Sequence, residues 1–96
     1  MAKGYWIASV TVTDADKYKG YAEAAPEAFK KFGGRYLARG GRHQVLEGEA
    51  RARNVVIEFP SMEKAIECFN SPEYEAAKAK RAGAGIITVV IVEGIE

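Results

Sequence analysis

Apolar and polar residues alternate along some stretches of the chain and recur every three or four positions along others. Alternation runs from Tyr5 to Val12 and from Arg53 to Phe59, and a run rich in β-branched residues extends from Ile86 to Val92. These stretches predict strands, since successive side chains of a strand point to opposite faces. Apolar residues at helical spacing run from Tyr18 to Phe32 and again from Met62 to Ala77, which predicts helices.

Polar and proline residues mark the ends of the predicted helices. Thr13-Asp14 offers an N-cap for the first helix. Pro26 inside that helix predicts a kink or a break into two short helices near Ala25, because proline removes an amide donor. Ser61 caps the second helix, and Ser71-Pro72 restarts it after an interruption, with proline at the first helical position.

The stretch from Gly33 to Gly41 is bracketed by two glycine pairs and predicts the second strand in chain order. The first pair can end the preceding helix, and the second can hold a bulge. We expect this strand to continue to Leu46, to turn at Glu47-Gly48-Glu49, and to form a hairpin with the strand from Arg53 to Phe59. The chain then follows the order strand, helix, strand, strand, helix, strand.

A turn centred on Gly48-Glu49 fixes which residues of the hairpin face each other. Residues whose numbers sum to about 97 become partners, so Arg39 opposes Glu58 and His43 opposes Asn54, unless a bulge at the second glycine pair shifts the count. The face away from the predicted helices then carries Tyr5, Ile7, Ser9, Thr11, Arg35, Leu37, Arg39, Asn54, Val56 and Glu58. The face under the helices carries Trp6, Ala8, Val10, Val12, Tyr36, Ala38, Val55, Ile57 and Phe59.

The element order predicts an α+β, ferredoxin-like βαββαβ fold, in which the helices cover one face of a four-stranded antiparallel sheet. Residues 1–96 make a single domain, whose core is thin at this length. The other sheet face combines apolar with charged residues, so a second copy of the chain is expected to cover it. Two such sheets facing each other form a dimeric α/β barrel, a homodimer with an isologous interface.

Composition narrows the class of protein. Lys and Arg total 14 and Asp and Glu total 13, and this near balance argues against nucleic acid and anionic membranes as partners. No apolar run approaches the roughly 20 residues that span a bilayer, and no signal peptide precedes the first strand, so we expect a cytoplasmic protein. The single cysteine, Cys68, and the single histidine, His43, have no partners at metal-ligand spacing, and we predict neither a metal nor a cofactor.

Segments spread over nearly the whole chain carry a family resemblance. They are Tyr5-Trp6-Ile7-Ala8, the stretch from Gly33 to Gly41, Val45-Leu46-Glu47-Gly48, Val56-Ile57-Glu58-Phe59-Pro60-Ser61, Ser71-Pro72-Glu73-Tyr74 and Val92-Glu93-Gly94. Together they resemble the small DUF1330 family. The resemblance implies a ferredoxin-like subunit in the dimeric α/β-barrel superfamily, whose other families include antibiotic-biosynthesis monooxygenases, haem-degrading enzymes, chlorite dismutases and muconolactone isomerase. It implies no reaction, since the family is named for unknown function.

Arg39 and Glu58 form the most specific candidate site. An arginine held by a carboxylate in a shielded barrel can bind an anionic substrate or stabilise an enolate. The alternative is a structural ion pair at the subunit interface, because buried charges need partners. Ser9 on the same predicted face is expected to hydrogen-bond to this pair rather than to act as a nucleophile.

Aromatic residues at helical spacing supply a second candidate site. Tyr18, Tyr21 and Tyr74, together with Trp6, are expected to line the space between helices and sheet. They are either core residues or part of a small-molecule site with tyrosine hydroxyls at its rim. His43 is expected to be a surface or hydrogen-bonded residue, with a general base as the alternative.

The sequence therefore predicts a homodimeric barrel that binds a small organic molecule, anionic or aromatic, and that can transform it without a cofactor. The alternative is a non-catalytic ligand sensor or structural dimerisation module, in which the polar residues only specify assembly. A haem-degrading role ranks third. The sequence leaves open the identity of the ligand and the choice between the helix–sheet cleft and the barrel interior as its site.

Overall fold

The computed structural model describes residues 2–96, so Met1 of the predicted domain lies outside it. These residues form four strands and three helices. In chain order they are β1 (Gly4–Val12), α1 (Ala15–Lys31), β2 (Arg35–Arg39), β3 (Arg53–Phe59), α2 (Met62–Phe69), α3 (Pro72–Ala79) and β4 (Gly85–Glu93). The sheet is antiparallel throughout, in the order β2-β3-β1-β4, which confirms the predicted α+β, ferredoxin-like fold.

Helix α1 begins at the predicted cap, but it does not break. The Asp14 carboxylate accepts a hydrogen bond from the Lys17 amide at 3.2 Å and so caps the first turn. Pro26 lies inside this single uninterrupted helix, so the predicted break into two helices is wrong. Proline leaves the carbonyl of Ala22 without its helical donor, and Arg39 of β2 replaces that donor with a hydrogen bond of 3.2 Å.

The core lies between the helices and one face of the sheet. Trp6, the third residue of β1, is at the centre of the core, with the rings of Phe29 and Tyr74 packed edge-on at centroid distances of 5.0 Å. A smaller cluster forms around Val10 and Tyr18, next to the main one. Trp6, Ala8, Val10, Val55, Ile57 and Phe59 are all buried, as predicted for the helix-facing side.

Strand β2 is shorter than predicted. It ends at Arg39, and residues 40–52 form no strand, so the predicted extension and the tight hairpin turn are wrong. Gly40 has a φ of +62°, in the left-handed region, while its amide still donates to the Asn54 carbonyl at 2.9 Å. Every residue from 40 to 50 is exposed, so no burial of apolar side chains supports a longer strand.

A bulge within β2 decides which face of the sheet each of its arginines occupies. The pairs across β2 and β3 are Arg35 with Glu58, Tyr36 with Ile57, Ala38 with Val56 and Arg39 with Val55. Leu37 is therefore an extra residue, and it moves Arg39 to the helix-facing side, because a slip of one position exchanges the two faces. The predicted pairings of Arg39 with Glu58 and of His43 with Asn54 are wrong.

The face of the sheet away from the helices, called the outer face below, has no covering layer among residues 2–96. It carries Tyr5, Ile7, Ser9, Thr11, Arg35, Val56, Glu58, Ile86, Thr88, Val90 and Val92. Ile7 is 43% exposed and Val90, its neighbour on β4, is 52% exposed. Val12, predicted to lie under the helices, is also exposed, at the end of β1. An apolar strip of this kind is typical of an interaction surface.

Candidate ligand-binding cleft

A cleft opens between α1 and the helix-facing side of the sheet. The free space inside it is small, about 30 Å³. Its aromatic walls come from Trp6, Tyr18, Tyr21, Phe29 and Tyr36. Trp6, Tyr18 and Tyr21 therefore lie between the helices and the sheet, and Tyr74 lies behind them in the core. Arg39, Arg53 and Arg81 also line the cleft, so apolar walls are combined with three positive charges.

Each of these arginines lies over the ring of a tyrosine. The distance from guanidinium carbon to ring centroid is 4.5 Å for Arg39 and Tyr36, 4.9 Å for Arg81 and Tyr21, and 5.5 Å for Arg53 and Tyr18. Such cation–π contacts hold a guanidinium group without using its N–H donors. Within residues 2–96, no carboxylate forms an ion pair with any of the three arginines.

Arg39 reaches the cleft through two local features of the chain. The bulge at Leu37 turns its side chain toward the helices, and Pro26 frees the Ala22 carbonyl that accepts its Nη2 hydrogen bond. Arg39 is therefore part of the cleft rather than of the outer face. Its predicted pairing with Glu58 and its predicted place on the outer face are therefore wrong.

Arg53, the first residue of β3, is held between the Tyr18 ring and Gly40. A Cβ built on Gly40 would meet the mobile end of the Arg53 side chain, and it is the positive φ of Gly40 that favours glycine there. The Nε of Arg53 is buried and has no hydrogen-bond partner in the described part of the chain. The same holds for the Nε of Arg81.

Arg81 belongs to a hydrogen-bonded chain that ends at the cleft. Its Nη2 donates to the Tyr74 hydroxyl at 3.2 Å, and the hydroxyls of Tyr74 and Tyr21 are 2.8 Å apart. Burial, and next the neighbouring Tyr74, raise the pKa of Tyr21 well above its ordinary value, so this hydroxyl stays protonated. When Tyr74 donates to Tyr21, the Tyr21 proton is free to bind an oxygen in the cleft.

Glu58 lies on the outer face and pairs with Arg35, not with Arg39. Its carboxylate accepts from Arg35 Nε at 2.9 Å and from the Tyr5 hydroxyl at 3.1 Å. The hydrogen bond from Arg35 lowers the pKa of Glu58 below its ordinary value of 4.5, and the hydrogen bond to Glu58 raises the pKa of Tyr5. Tyr5, Arg35 and Glu58 therefore form one polar network, set among apolar residues of the outer face.

The network predicts a pH dependence of stability that Glu58→Gln removes. Because folding lowers the pKa of Glu58, its contribution is present above about pH 4.5 and is lost as the pH falls through the lowered pKa. We expect Glu58→Gln to be less stable than the wild type at pH 7, with the difference shrinking toward about pH 3. Urea denaturation at both pH values measures this, and a difference that stays constant would contradict it.

Ser9, His43 and Cys68 lie away from the cleft. The Ser9 hydroxyl donates to the Asn54 side-chain oxygen at 3.4 Å, beside a polar recess on the outer face. The Nδ1 of His43 is 3.4 Å from the Gly41 carbonyl, in the exposed segment after β2. Cys68 is fully buried, and burial raises the pKa of its thiol to about 12. No cluster of three metal-ligating side chains exists within residues 2–96.

Arg53 and Arg81 are the residues of the cleft that sequence reasoning missed. Arg53 begins a predicted strand and Arg81 follows a predicted helix, positions at which arginine is ordinarily a solvated surface residue. The signal in the sequence that could have pointed to Arg53 is Gly40, which follows an arginine and lies close to the end of a strand. A glycine that permits close approach of another group indicates that something must fit beside it.

The sheet order, the helix layer and the cleft between them define a ferredoxin-like α+β protein. Residues 3–95 match the family described as "Domain of unknown function (DUF1330)", and the chain belongs to that family. The predicted family is therefore confirmed. No curated protein matches the sequence. Within residues 2–96, no helix is both long enough and apolar enough to cross a membrane.

Solved structures share this fold at low sequence identity. The RPA0582 protein of unknown function from Rhodopseudomonas palustris is 18% identical, with a TM-score of 0.77 over 99% of this chain and 84% of that one. SnoaB, a cofactor-independent oxygenase from Streptomyces nogalater, is 8% identical, with a TM-score of 0.62 over 100% and 96%. A dimeric ferredoxin-like protein of unknown function from Thermobifida fusca is 19% identical, with a TM-score of 0.59 over 96% and 91%.

Proposed function

We propose that this chain forms a homodimer through its outer face, and that each subunit binds a small organic molecule in the cleft and transforms it without a metal or cofactor. The observation that carries this proposal is the cleft itself. Its walls are aromatic and apolar, and its three arginines have no carboxylate partner among residues 2–96. Small-molecule sites are commonly lined by apolar and aromatic side chains with a few convergent polar groups.

The polar groups of the cleft suit a negatively charged oxygen. Guanidinium groups and a protonated Tyr21 are donors, and no Asp, Glu or His is found among the described residues that line the cleft. Donors fixed in an apolar surrounding stabilise charge that develops on an enolate or phenolate oxygen. The cleft therefore supports binding and activation of an anionic ring compound rather than proton removal by a carboxylate. SnoaB supports the cofactor-independent reaction by analogy of fold alone.

The homodimer is supported by the outer face. Ile7, Val90 and Ile86 are exposed there, and no other part of residues 2–96 covers them. Packing two copies face to face buries this strip symmetrically, with each residue of one subunit meeting the same patch of the other. The protein from Thermobifida fusca with the same fold is described as dimeric, which is consistent with this arrangement.

Filling the cleft is expected to abolish ligand binding and to leave the subunit folded. Ala22 lines the cleft from α1, so Ala22→Phe places a ring in the space available to a ligand. In a panel of aromatic acids and their neutral amides, we expect compounds that raise the Tm of the wild type and leave the Tm of Ala22→Phe unchanged. Ala76→Phe, at an exposed position of α3, is the matched control and should respond like the wild type.

Two outcomes of this panel would contradict a ligand site in the cleft. Equal stabilisation of Ala22→Phe and the wild type would place the site elsewhere, for which the polar recess beside Ser9 is the nearest alternative. A wild type that no compound of the panel stabilises would remove the support for small-molecule binding. Circular dichroism establishes beforehand that both alanine variants are folded.

A non-catalytic dimerisation module is the second candidate, and the network of Tyr5, Arg35 and Glu58 favours it. These polar residues sit on the outer face, where they can specify the geometry of the dimer without any reaction. Under this alternative, Glu58→Gln weakens dimerisation in sedimentation experiments, whereas Ala22→Phe changes neither assembly nor any ligand response. Ala22→Phe therefore distinguishes the candidates, because only the first candidate predicts that this variant loses a ligand response.

A further inference from the structure

The two edges of the sheet differ in how they are protected from further pairing. Strand β2, at one edge, has five residues, contains a bulge, and begins and ends with arginine. Short length, bulges and charged side chains keep an edge strand from pairing with another chain. Strand β4, at the other edge, lacks these features, since its register with β1 is unbroken over nine residues and Glu93 is its only charge.

Strand β4 has the composition of a strand that is paired on both sides. Apart from its two ends, every residue of β4 is Ile, Val or Thr. Within residues 2–96, β1 is its only neighbour, so the N–H and C=O groups along its other edge have no strand partner. An exposed edge of this length and composition readily pairs with an extended segment of another chain. The edge of β4 therefore has the properties of a pairing surface.

The segment after β2 has the complementary property, a backbone without partners. Among residues 2–96, no backbone hydrogen bond involves residues 42–50. Val45 is 46% exposed and Leu46 is 85% exposed, so two apolar side chains of this segment are uncovered as well. The sequence predicts a strand up to Leu46, and a second subunit can supply the neighbouring strand that a single subunit does not.

The symmetry of a dimer brings this segment to the β4 edge. A two-fold axis parallel to the strands packs two outer faces together and places the β2 edge of one subunit beside the β4 edge of the other. Such an axis preserves strand direction, and β2 and β4 run in opposite directions, so pairing across the subunits is antiparallel. Residues 42–46 continue β2 toward the end of the sheet at which β4 begins.

We propose that residues 42–46 of each subunit add a strand to the β4 edge of its partner, so that two symmetric pairings close the barrel. This inference rests on the homodimer of the proposed function and names the segment that each subunit contributes. A second copy fits this edge because the β4 edge is continuous with the outer face, as Ile86, Val90 and Val92 belong to both. The protein from Thermobifida fusca with the same fold is described as dimeric.

Amide hydrogen exchange measured by mass spectrometry tests this pairing in the wild type and in Ile7→Lys, which places a charge in the outer face and is expected to be monomeric. Residues 42–46 should exchange at least about tenfold more slowly in the wild type, because paired amides exchange only when the structure opens. The peptide that covers β4 should also be more protected there. Dilution of the wild type to a monomer should remove both effects, which gives a measurement that does not depend on the substitution.

Proline substitutions remove single donors from the proposed strand. Alternate amides of a strand point to opposite sides, so either Gln44→Pro or Val45→Pro removes a donor that points toward the edge of β4. That variant should weaken the dimer about 10- to 100-fold in sedimentation equilibrium, because a two-fold dimer loses the hydrogen bond twice. Glu47→Pro is the matched control, since Glu47 precedes Gly48, whose φ of +77° suits a turn that accepts proline. It should leave the dimer Kd unchanged.

The outcomes separate this inference from the proposed function. A dimeric wild type in which residues 42–46 exchange as fast as in Ile7→Lys would overturn the strand pairing and leave the homodimer intact. Added protection of β4 alone would also overturn it, and would indicate that the two β4 edges pair with each other. The same holds for an unchanged dimer Kd in both Gln44→Pro and Val45→Pro. A wild type that is monomeric at every concentration would overturn the homodimer and, with it, this inference.

Discussion

Trp6→Ala is expected to lower the free energy of unfolding by about 3–5 kcal/mol. The Trp6 side chain is 1% exposed and touches the rings of Phe29, Phe59, Phe69 and Tyr74. It sits on a central strand whose neighbours on both sides are fixed by backbone pairing, so the cavity left by alanine cannot easily close. Since a domain of this kind is stable by only about 5–15 kcal/mol, the loss is a large fraction of the total.

Urea denaturation followed by circular dichroism measures this effect without relying on the tryptophan signal. Trp6→Phe keeps an aromatic ring against the same neighbours and should cost clearly less than Trp6→Ala. A loss below about 1 kcal/mol for Trp6→Ala, which is an ordinary value for a surface or tolerant site, would contradict the central place of Trp6 in the core.

Ile7→Lys is expected to convert the proposed dimer into monomers. Ile7 lies in the middle of the outer face, beside Val56 and Val90. In an isologous interface one substitution appears twice, so two lysine charges would be buried close together without partners. The protein offers a matched control in Ile66 of α2, which is 41% exposed against 43% for Ile7 but lies on the helix side of the molecule.

Sedimentation velocity of the wild type, Ile7→Lys and Ile66→Lys at one concentration measures the oligomeric state of each protein. We expect a dimer for the wild type and for Ile66→Lys, and a folded monomer for Ile7→Lys. The opposite pattern, with dissociation only in Ile66→Lys, would place the interface on the helices. A wild type that sediments as a monomer would contradict the dimer itself.

Local signals in the sequence were sufficient to predict most of the helices and strands and the topology of the sheet. The period of two in β1 and β3, the caps at Asp14, Ser61 and Ser71, and the β-branched run of β4 are short-range patterns. Each depends on residues within one element, which is why each could be recognised before packing was known. Pro26 was the exception, because Arg39 of another strand compensates for the donor that proline lacks.

The position of Arg39 could not be derived from such patterns. A single extra residue at Leu37 exchanged the two faces of β2, and neither its neighbours nor its side chain carries a turn signal. The sequence placed a bulge at the glycines instead. Gly40 turned out to serve a different purpose, since its positive φ ends the strand beside the Arg53 side chain.

The cleft as a whole depends on contacts between distant parts of the chain. Arg53 stacks on Tyr18 and Arg81 on Tyr21, and these pairs come together only once α1 lies across the sheet. The sequence named the tyrosines because helical spacing fixes one face of α1. It could not name the arginines, since their neighbours are set by tertiary packing.

The most direct measurement of the central claim, that the cleft between α1 and the sheet is the ligand site, is a ¹H–¹⁵N NMR titration with an aromatic acid of the panel that raises the Tm of the wild type. The largest shifts are expected for the amides of Tyr21, Ala22 and Arg53 and for the Trp6 indole, with little change at Ser9 and Thr88 of the outer face. Shifts concentrated at Ser9 and Thr88, with Tyr21 and Ala22 unaffected, would contradict the claim and place the site in the barrel interior.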